Sequence, residues 1–145
     1  MKVLIQRVKK ASVTIDNKLF SYINEGILAF VGIEKGDCSD KIEKAAHKII
    51  NLRIFEDDNG KMNRSLVDTK GEMLIVSQFT LCGDCRKGTR PSFDSSEAPD
   101  IANNLYEEFI SAVENCGIRV KTGCFGAMMD IELINDGPVT FMLNF

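Results

Sequence analysis

Residues 73–81 read Met-Leu-Ile-Val-Ser-Gln-Phe-Thr-Leu, an apolar run that passes into Ser77, Gln78 and Thr80. A continuous apolar run of this length is typical of a strand that is covered on both faces. Because side chains alternate along a strand, Gln78 and Thr80 are expected to share one polar face at its end. The stretch therefore predicts the central strand of a sheet, with polar groups where the strand leaves the core.

The segments on either side predict further strands and two helices. Alternating or β-branched patterns indicate strands at residues 2–8, 11–15, 19–23, 26–33, 52–55, 118–121, 129–134 and 139–144. Residues 56–60 form a polar turn, and residues 61–72 and 82–97 are predicted to be loops. A long ordered loop directly after a central strand is often functional.

Both predicted helices have a clear apolar face. Asp40 and Glu43 have the spacing of a capping box at the start of the first helix. Its apolar residues at helical spacing are Ile42, Ala45, Ala46, Ile49 and Ile50. The second helix has Pro99 in its first turn and ends at Gly117. Its predicted buried residues are Ile101, Leu105, Phe109, Ala112 and Val113.

The order of these elements predicts an α/β protein, with two helices on one face of a sheet system and extra strands packed as a second sheet. A length of 145 residues favours one domain, residues 1–145. A net charge of −3 argues against a protein that coats long stretches of nucleic acid. It does not argue against a partner held at one small end, because local charge matters more than the total.

Composition also bears on location. No apolar run approaches the roughly 20 residues of a membrane span, and the N-terminus lacks the apolar core of a secretory leader. The five cysteines are odd in number and irregular in spacing, which is typical of reduced thiols. We therefore expect a cytoplasmic protein without a membrane partner.

A second informative stretch, residues 135–140, reads Asn-Asp-Gly-Pro-Val-Thr between two alternating apolar segments. Pro138 cannot donate to a sheet ladder and Gly137 weakens one, so the pair should interrupt the sheet. An X-Pro bond also has ready access to the cis form. The residues alone are explained by a hairpin turn, and a turn that presents its backbone to a ligand is the alternative.

These two stretches and the opening residues 1–8, Met-Lys-Val-Leu-Ile-Gln-Arg-Val, closely resemble the D-aminoacyl-tRNA deacylase family over the whole chain. The resemblance implies a layered α/β/β fold and a homodimer. It implies hydrolysis of the ester between a D-amino acid and the tRNA 3′ end, without a metal or organic cofactor. The implied partner is the tRNA acceptor end, and neither DNA nor a membrane is expected.

The resemblance also implies roles for particular residues. Ser77, Gln78, Phe79 and Thr80 would line the pocket for the terminal aminoacyl adenosine, with backbone N–H groups near Phe79 and Thr80 as an oxyanion hole. A cis Gly137-Pro138 bond would enter the partner subunit's pocket, where its carbonyl groups exclude L side chains. Glycyl-tRNA, which has no side chain to exclude, would be a further substrate.

Further implied roles concern binding. Phe125 and Met129 would sandwich the terminal adenine. Separately from the resemblance, Lys87 and Arg90 lie in a basic loop directly after the strand at residues 73–81. That proximity favours contacts with phosphates of the acceptor end over the alternative of a solvated loop. Arg7 would support the Gly-Pro loop of the neighbouring subunit, whereas an arginine in an apolar strand is ordinarily expected at an exposed edge.

Several alternatives stay open. Thr80 as a nucleophile needs a base, and the only histidine, His47, falls in the first helix. Chemistry by backbone groups and the substrate's 2′-hydroxyl is therefore preferred.

Cys82 and Cys85 form a CxxC pair that is not typical of the family, and without a second pair it is weak evidence for a metal. Rival hypotheses are a non-catalytic RNA-end binder, a deacylase with a trans Gly-Pro bond that acts on small L-amino acids, and a CxxC oxidoreductase.

Overall fold

The computed structural model describes residues 1–145 as eight strands and three helices. The strands are β1 (Lys2–Ile15), β2 (Lys18–Ile23), β3 (Gly26–Gly32), β4 (Phe55–Glu56), β5 (Met62–Arg64), β6 (Glu72–Ser77), β7 (Arg119–Thr122) and β8 (Asp130–Asn144). The helices are α1 (Ser39–Ile50), α2 (Leu66–Thr69) and α3 (Pro99–Asn115), and a 3₁₀ turn (Phe79–Cys82) follows β6. None of the helices has the length and apolar character needed to span a bilayer.

The long strand β1 organises the sheet. Its first half pairs with β3 and its second half with β2, while β8 runs along its other edge. Parallel pairs then extend the sheet from β3 to β6 and from β6 to β7. Ser21 on β2 donates a hydrogen bond to the carbonyl of Thr122 on β7 at 2.7 Å, so the two ends of the sheet meet. The sheet therefore curls like a partly open barrel.

Alternation along the central strands divides the core into two parts. Ile27 and Ala29 of β3 belong to the larger cluster, which also includes the buried faces of α1 and α3. Leu28 points to the opposite side and packs with Leu74 and Val76 of β6 in the smaller cluster. Because both faces of β3 and β6 are covered, these strands are continuous apolar runs, as the sequence indicated.

The predicted α/β class is confirmed, but several element boundaries differ. The strand predicted at residues 73–81 ends at Ser77, where the chain turns into the 3₁₀ turn. Residues 2–8 and 11–15 join into β1, and residues 129–134 and 139–144 join into β8. Residues 61–72, predicted to be a loop, include β5 and α2, whose first turn is closed by a capping box between Ser65 and Asp68. The α/β/β layering stays a prediction, because every strand except β4 and β5 belongs to one hydrogen-bonded sheet.

The apolar face predicted for α1 is confirmed residue by residue. The capping box predicted for Asp40 and Glu43 is wrong, because the N-cap is Cys38, two residues before Asp40, and the helix begins at Ser39. Asp40 instead lies within the first turn, where a carboxylate is favoured by the partial positive charge of the helix N-terminus.

In α3, Pro99 does lie in the first turn and Gly117 follows the helix with φ of 82°. The predicted burial of Ile101 is wrong, since 51% of it is exposed. Tyr106 is buried instead, beside Leu105, Phe109 and Val113. The periodic pattern identifies the apolar side of the helix but not how far the packed surface extends along it.

Candidate active site

A cavity of about 660 Å³ opens beyond the C-terminal end of β6. The residues that line it are Val31, Ile33, Val76, Ser77, Gln78, Phe79, Thr80, Ser96, Glu97, Pro99, Ala102, Tyr106, Phe125, Gly126, Ala127, Met128, Met129 and Ile131. Parallel strands β3 and β6 both end here, and such ends are where open α/β sheets leave room for ligands. The cavity brings together six of the predicted site residues: Ser77, Gln78, Phe79, Thr80, Phe125 and Met129.

The first side of the cavity is the turn that ends β6. Gln78 N–H donates to the carbonyl of Val31 at 2.7 Å, which is the last ladder bond before the chain turns. The expectation that Gln78 and Thr80 share a strand face is therefore wrong. They meet because the chain curls, and Gln78 Nε2 donates directly to Thr80 Oγ1. Since Thr80 Oγ1 accepts this bond, its own proton is available to a bound ligand.

Backbone donors lie in the same turn. The 3₁₀ turn begins at Phe79, and the first N–H groups of a helix have no acceptor within it. The N–H groups of Phe79 and Thr80 can therefore donate to a bound oxygen atom. The ring of Phe79 is 58% exposed and contacts Phe93, with ring centroids 5.1 Å apart.

The second side of the cavity is aromatic and contains a residue that the sequence analysis missed. Tyr106 is 3% exposed, and its hydroxyl donates to the carbonyl of Ile75 at 2.8 Å. Burial raises the pKa of the Tyr106 hydroxyl well above its usual value, so the group stays protonated. Its ring lies 5.9 Å from that of Phe125, between centroids. The signal was present, because Tyr106 lies beside Leu105 and three residues before Phe109 on the apolar side of α3.

Met129 is fixed by its own loop. Its Sδ accepts a hydrogen bond from the N–H of Cys124 at 3.3 Å. A Cβ on Gly123 would lie 2.7 Å from the same sulfur atom, so only glycine leaves room for this side chain. The loop thereby places a thioether and the Phe125 ring in one cavity.

The Gly137-Pro138 segment forms a bulge in the pairing of β1 with β8. Val8 pairs with Asn135 and Gln6 pairs with Thr140. Between these two pairs β8 advances by five residues while β1 advances by two, so the extra residues of β8 bulge out of the ladder. The ladder is interrupted here, as predicted, and the Gly137-Pro138 peptide bond is cis. Neither residue lines the cavity of its own chain.

Side chains from the two strands hold this bulge. Asn135 Nδ2 donates to the carbonyl of Arg7 at 3.0 Å and to that of Val139 at 3.1 Å. Arg7 Nε donates to the carbonyl of Asp136 at 3.0 Å and lies 2.9 Å from its carboxylate. Arg7 Nη1 donates to the carbonyl of Ile54 at 2.7 Å.

The expectation of an edge-exposed Arg7 is therefore wrong, since the residue is only 4% exposed. Burial is tolerated because the guanidinium fork is matched by carbonyl and carboxylate acceptors. Within its own chain, Arg7 contacts the bulge through the backbone and side chain of Asp136. Its support of the Gly-Pro loop of a neighbouring subunit stays a prediction.

The remaining basic candidates lie outside the cavity. Lys87 and Arg90 are exposed in the loop between the 3₁₀ turn and α3, and neither lines the cavity. His47 is exposed on α1, with its Nδ1 3.8 Å from Cys116 Sγ. No histidine therefore reaches Thr80.

The CxxC pair is divided between two environments. Cys82 is buried with its Sγ 3.5 Å from the carbonyl of Ile33, and burial raises the pKa of its thiol. Cys85 is exposed. A reactive thiol is favoured by a lowered pKa, so Cys82 has the character of a packing residue.

The chain has relatives of named function. Residues 4–144 match the family model described as D-Tyr-tRNA(Tyr) deacylase. The chain is 56% identical to a D-aminoacyl-tRNA deacylase of Thermosipho africanus (strain TCF52B), covering 99% of this chain and 97% of that protein. It is 51% identical to a protein of the same name from Aquifex aeolicus (strain VF5), with the same coverage.

Solved structures show the same fold. One described as c-Myc DNA Unwinding Element Binding Protein is 39% identical with a TM-score of 0.94, covering 100% of this chain and 99% of that one. A probable eukaryotic D-amino acid tRNA deacylase is 20% identical with a TM-score of 0.83, covering 98% and 97%, and this likeness concerns the fold alone. From the family match and the identity to these relatives, the chain belongs to the D-Tyr-tRNA(Tyr) deacylase family, a family of ester hydrolases.

Proposed function

We propose that this chain hydrolyses the ester bond between a D-amino acid and the 3′-terminal adenosine of tRNA, releasing the free amino acid and tRNA. Its membership of the family supports the reaction class. The observation that carries the proposal is the single cavity shared by the donor-rich turn at residues 77–80 and the Phe125–Met129 loop. An aminoacyl adenosine has one group suited to each of these two sides, a polar ester for the turn and a flat base for the loop.

The base is proposed to stack at the aromatic side of the cavity. Phe125 and Met129 both line it, and Tyr106 packs behind Phe125. Stacking of a base on an aromatic ring contributes about 1–3 kcal/mol and depends little on sequence. Binding at this end would therefore accept any tRNA, because the terminal adenosine is common to all of them.

The chemistry is proposed to rely on backbone donors. Water attacks the ester carbonyl carbon, the bond to the ribose oxygen breaks, and that oxygen takes a proton as the 3′-hydroxyl of tRNA. The N–H groups of Phe79 and Thr80 would stabilise the developing oxyanion, and loss of one such donor typically costs about 10²–10³ in rate. The Thr80 hydroxyl, oriented by Gln78, would donate a further hydrogen bond to the same oxyanion. Without a base near Thr80, the 2′-hydroxyl of the substrate is the preferred assistant.

Selectivity for D-amino acids is proposed to come from a second copy of the chain. Gly137 and Pro138 lie outside the cavity of their own chain, so they would act on a substrate only in the cavity of a partner. There the backbone carbonyl groups of the bulge would collide with an L side chain and leave a D side chain free. This arrangement requires a homodimer. It would not exclude glycine, so glycyl-tRNA would also be cleaved.

The acceptor end is proposed to be held by charge. Lys87 and Arg90 are exposed in the loop that follows the 3₁₀ turn, and they would contact phosphates without reading the sequence. Such contacts weaken as salt increases.

An enzyme that acts on aminoacyl-tRNA would work in the cytoplasm. The proposed scheme requires no metal or organic cofactor.

The test compares D-tyrosyl-tRNA with L-tyrosyl-tRNA at a protein concentration well below that of the substrate. We expect many turnovers with the D ester and almost none with the L ester. Equal rates for the two esters, or release limited to one equivalent per chain, would contradict the proposal.

A second candidate is a nucleic-acid end binder without catalysis. It is favoured by the 39% identical solved structure, which is described as a DNA unwinding element binding protein. Such a protein would retain the tRNA end without releasing amino acid. The turnover experiment separates the two candidates, because binding alone gives no product beyond the uncatalysed rate.

A further inference from the structure

Glu97 is the only charged residue among the 18 that line the cavity. Its N–H donates to the carbonyl of Ile33 at 3.1 Å, and its Oε1 accepts the N–H of Ala98 at 2.8 Å. These two bonds fix the residue at the start of α3, and no donor from the chain contacts Oε2. A carboxylate oxygen beside apolar side chains is a strong acceptor for a donor on a ligand.

The position of Glu97 indicates which part of the ligand it meets. Pro99, Ala102 and Tyr106 follow it along the cavity, and residues three and four apart share one face of a helix. Tyr106 in turn packs against Phe125, where the base is proposed to stack. The face of α3 that follows Glu97 therefore leads along the cavity from the carboxylate to the side that would hold the base. The turn at residues 77–80, which would face the ester, contributes only uncharged groups.

We propose that Glu97 accepts a hydrogen bond from the exocyclic amine of the terminal adenine and makes the cavity selective for a 6-amino purine. This inference rests on the proposed function of the same cavity. A 6-oxo purine would place a carbonyl oxygen against the carboxylate, leaving two acceptors without a donor. A lost hydrogen bond to a charged group corresponds to about a 10- to 100-fold change in specificity.

The test uses two D-tyrosyl-tRNA substrates, one ending in adenosine and the other in inosine. The wild-type chain should have a kcat/KM about 10- to 100-fold higher for adenosine. Glu97→Gln keeps an oxygen for the N–H of Ala98 and presents an NH₂ donor to the base. Its preference should fall to parity or reverse towards inosine. Glu108→Gln makes the same chemical change on α3 outside the cavity and should retain the wild-type preference.

The other donors on the substrate, its ribose hydroxyl and its α-ammonium group, are identical in the two esters. If Glu97→Gln lowers both rates by the same factor, the carboxylate serves one of these donors or only the helix start, and the inference is wrong. A wild-type chain that does not distinguish the two bases also overturns it. Failure to hydrolyse either ester would overturn the proposed function itself, whereas hydrolysis with an unaltered base preference overturns this inference alone.

Discussion

The cavity and the Gly137-Pro138 bulge are built by different interactions. The cavity is shaped mainly by packing, with Tyr106 against Phe125 and Phe79 against Phe93. The bulge is held by directed hydrogen bonds from Arg7 and Asn135, and its two tip residues, Gly137 and Pro138, are exposed and do not line that cavity. Packing adjusts when one side chain changes, whereas a hydrogen-bond network loses a partner outright.

This difference suggests that the two regions can be altered separately. Changes at the bulge should affect chiral selectivity more than affinity, since the bulge is proposed to exclude rather than to bind. Changes in the cavity should affect binding and rate with both esters alike. The following substitutions test that separation, in order of decreasing effect.

The largest effect is expected from Arg7→Met, which keeps the length of the side chain and removes its donors. Carbonyl groups of Ile54 and Asp136 would lose their partners in a site where Arg7 is only 4% exposed. We expect the free energy of unfolding to fall by about 2–4 kcal/mol and the D-to-L rate ratio by about 100-fold. Urea titration and paired kinetics measure the two effects. Arg7→Lys, which keeps the charge but not the fork, should be intermediate, and an unchanged rate ratio would refute the bracing role.

A smaller loss of selectivity is expected from Gly137→Ala. The added Cβ would lie 2.6 Å from Asn135 Oδ1, so the amide that ties Arg7 to Val139 must move. The free energy of unfolding should fall by about 1–2 kcal/mol and the D-to-L ratio by about tenfold.

The mechanism of this effect can be checked in an Asn135→Ala background. There the steric conflict is gone, so Gly137→Ala should cost much less than it does in the wild type. If the two substitutions are additive, the contact with Asn135 is not the cause.

Within the cavity, Thr80→Val removes the hydroxyl and leaves the backbone N–H groups in place. If the two backbone N–H groups are the main donors and the hydroxyl only supplements them, kcat should fall about tenfold, less than the roughly 10²–10³ of a lost main donor. Loss of a true nucleophile costs about 10⁴ or more. Thr80→Ser should stay close to the wild type. A complete loss of turnover in Thr80→Val with normal folding would contradict the scheme based on backbone donors.

Tyr106→Phe should have a still smaller effect, because the ring that packs against Phe125 is retained. The carbonyl of Ile75 loses the tyrosine donor but keeps the N–H of Gly123 at 3.0 Å. We expect about 1 kcal/mol less stability and a KM raised about threefold, with kcat unchanged. A fall in kcat without a change in KM would show that Tyr106 acts on the ester rather than on the base.

Acid should also act outside these two regions, at Asp37, whose carboxylate pairs with the Met1 ammonium group at 2.8 Å. Burial alone would raise the pKa of Asp37, but hydrogen bonds from the Met1 ammonium, Glu34 N–H and Lys41 outweigh it and lower the pKa. The stabilisation is therefore complete above the unfolded pKa near 4 and is lost as pH falls below it. Unfolding titrations between pH 7 and pH 3 should show this loss, and Asp37→Asn should reduce it. An equal acid response in that variant would contradict the assignment.

The sequence predicted the buried strands well because their apolar runs are continuous, and the face of α1 because its period is regular. It misplaced the end of the central strand, because Ser77 and Gln78 give no local sign that the chain turns after the last ladder bond to Val31. It also placed Arg7 at an exposed edge. Acceptors as distant in the chain as Ile54 and Asp136 cannot be inferred from the neighbours of an arginine in a strand.

The sequence by itself determined the α/β class, the apolar faces of the elements, the interruption of the sheet at Gly137-Pro138 and the resemblance to a deacylase family. These depend on local periodicity and on short strings of residues. Only the tertiary structure joined the turn at residues 77–80 to Tyr106, Phe125 and Met129, placed Glu97 among them, and buried Arg7 against the bulge. Such groupings depend on strand register and on the curl of the sheet, which are set by packing between residues far apart in the chain.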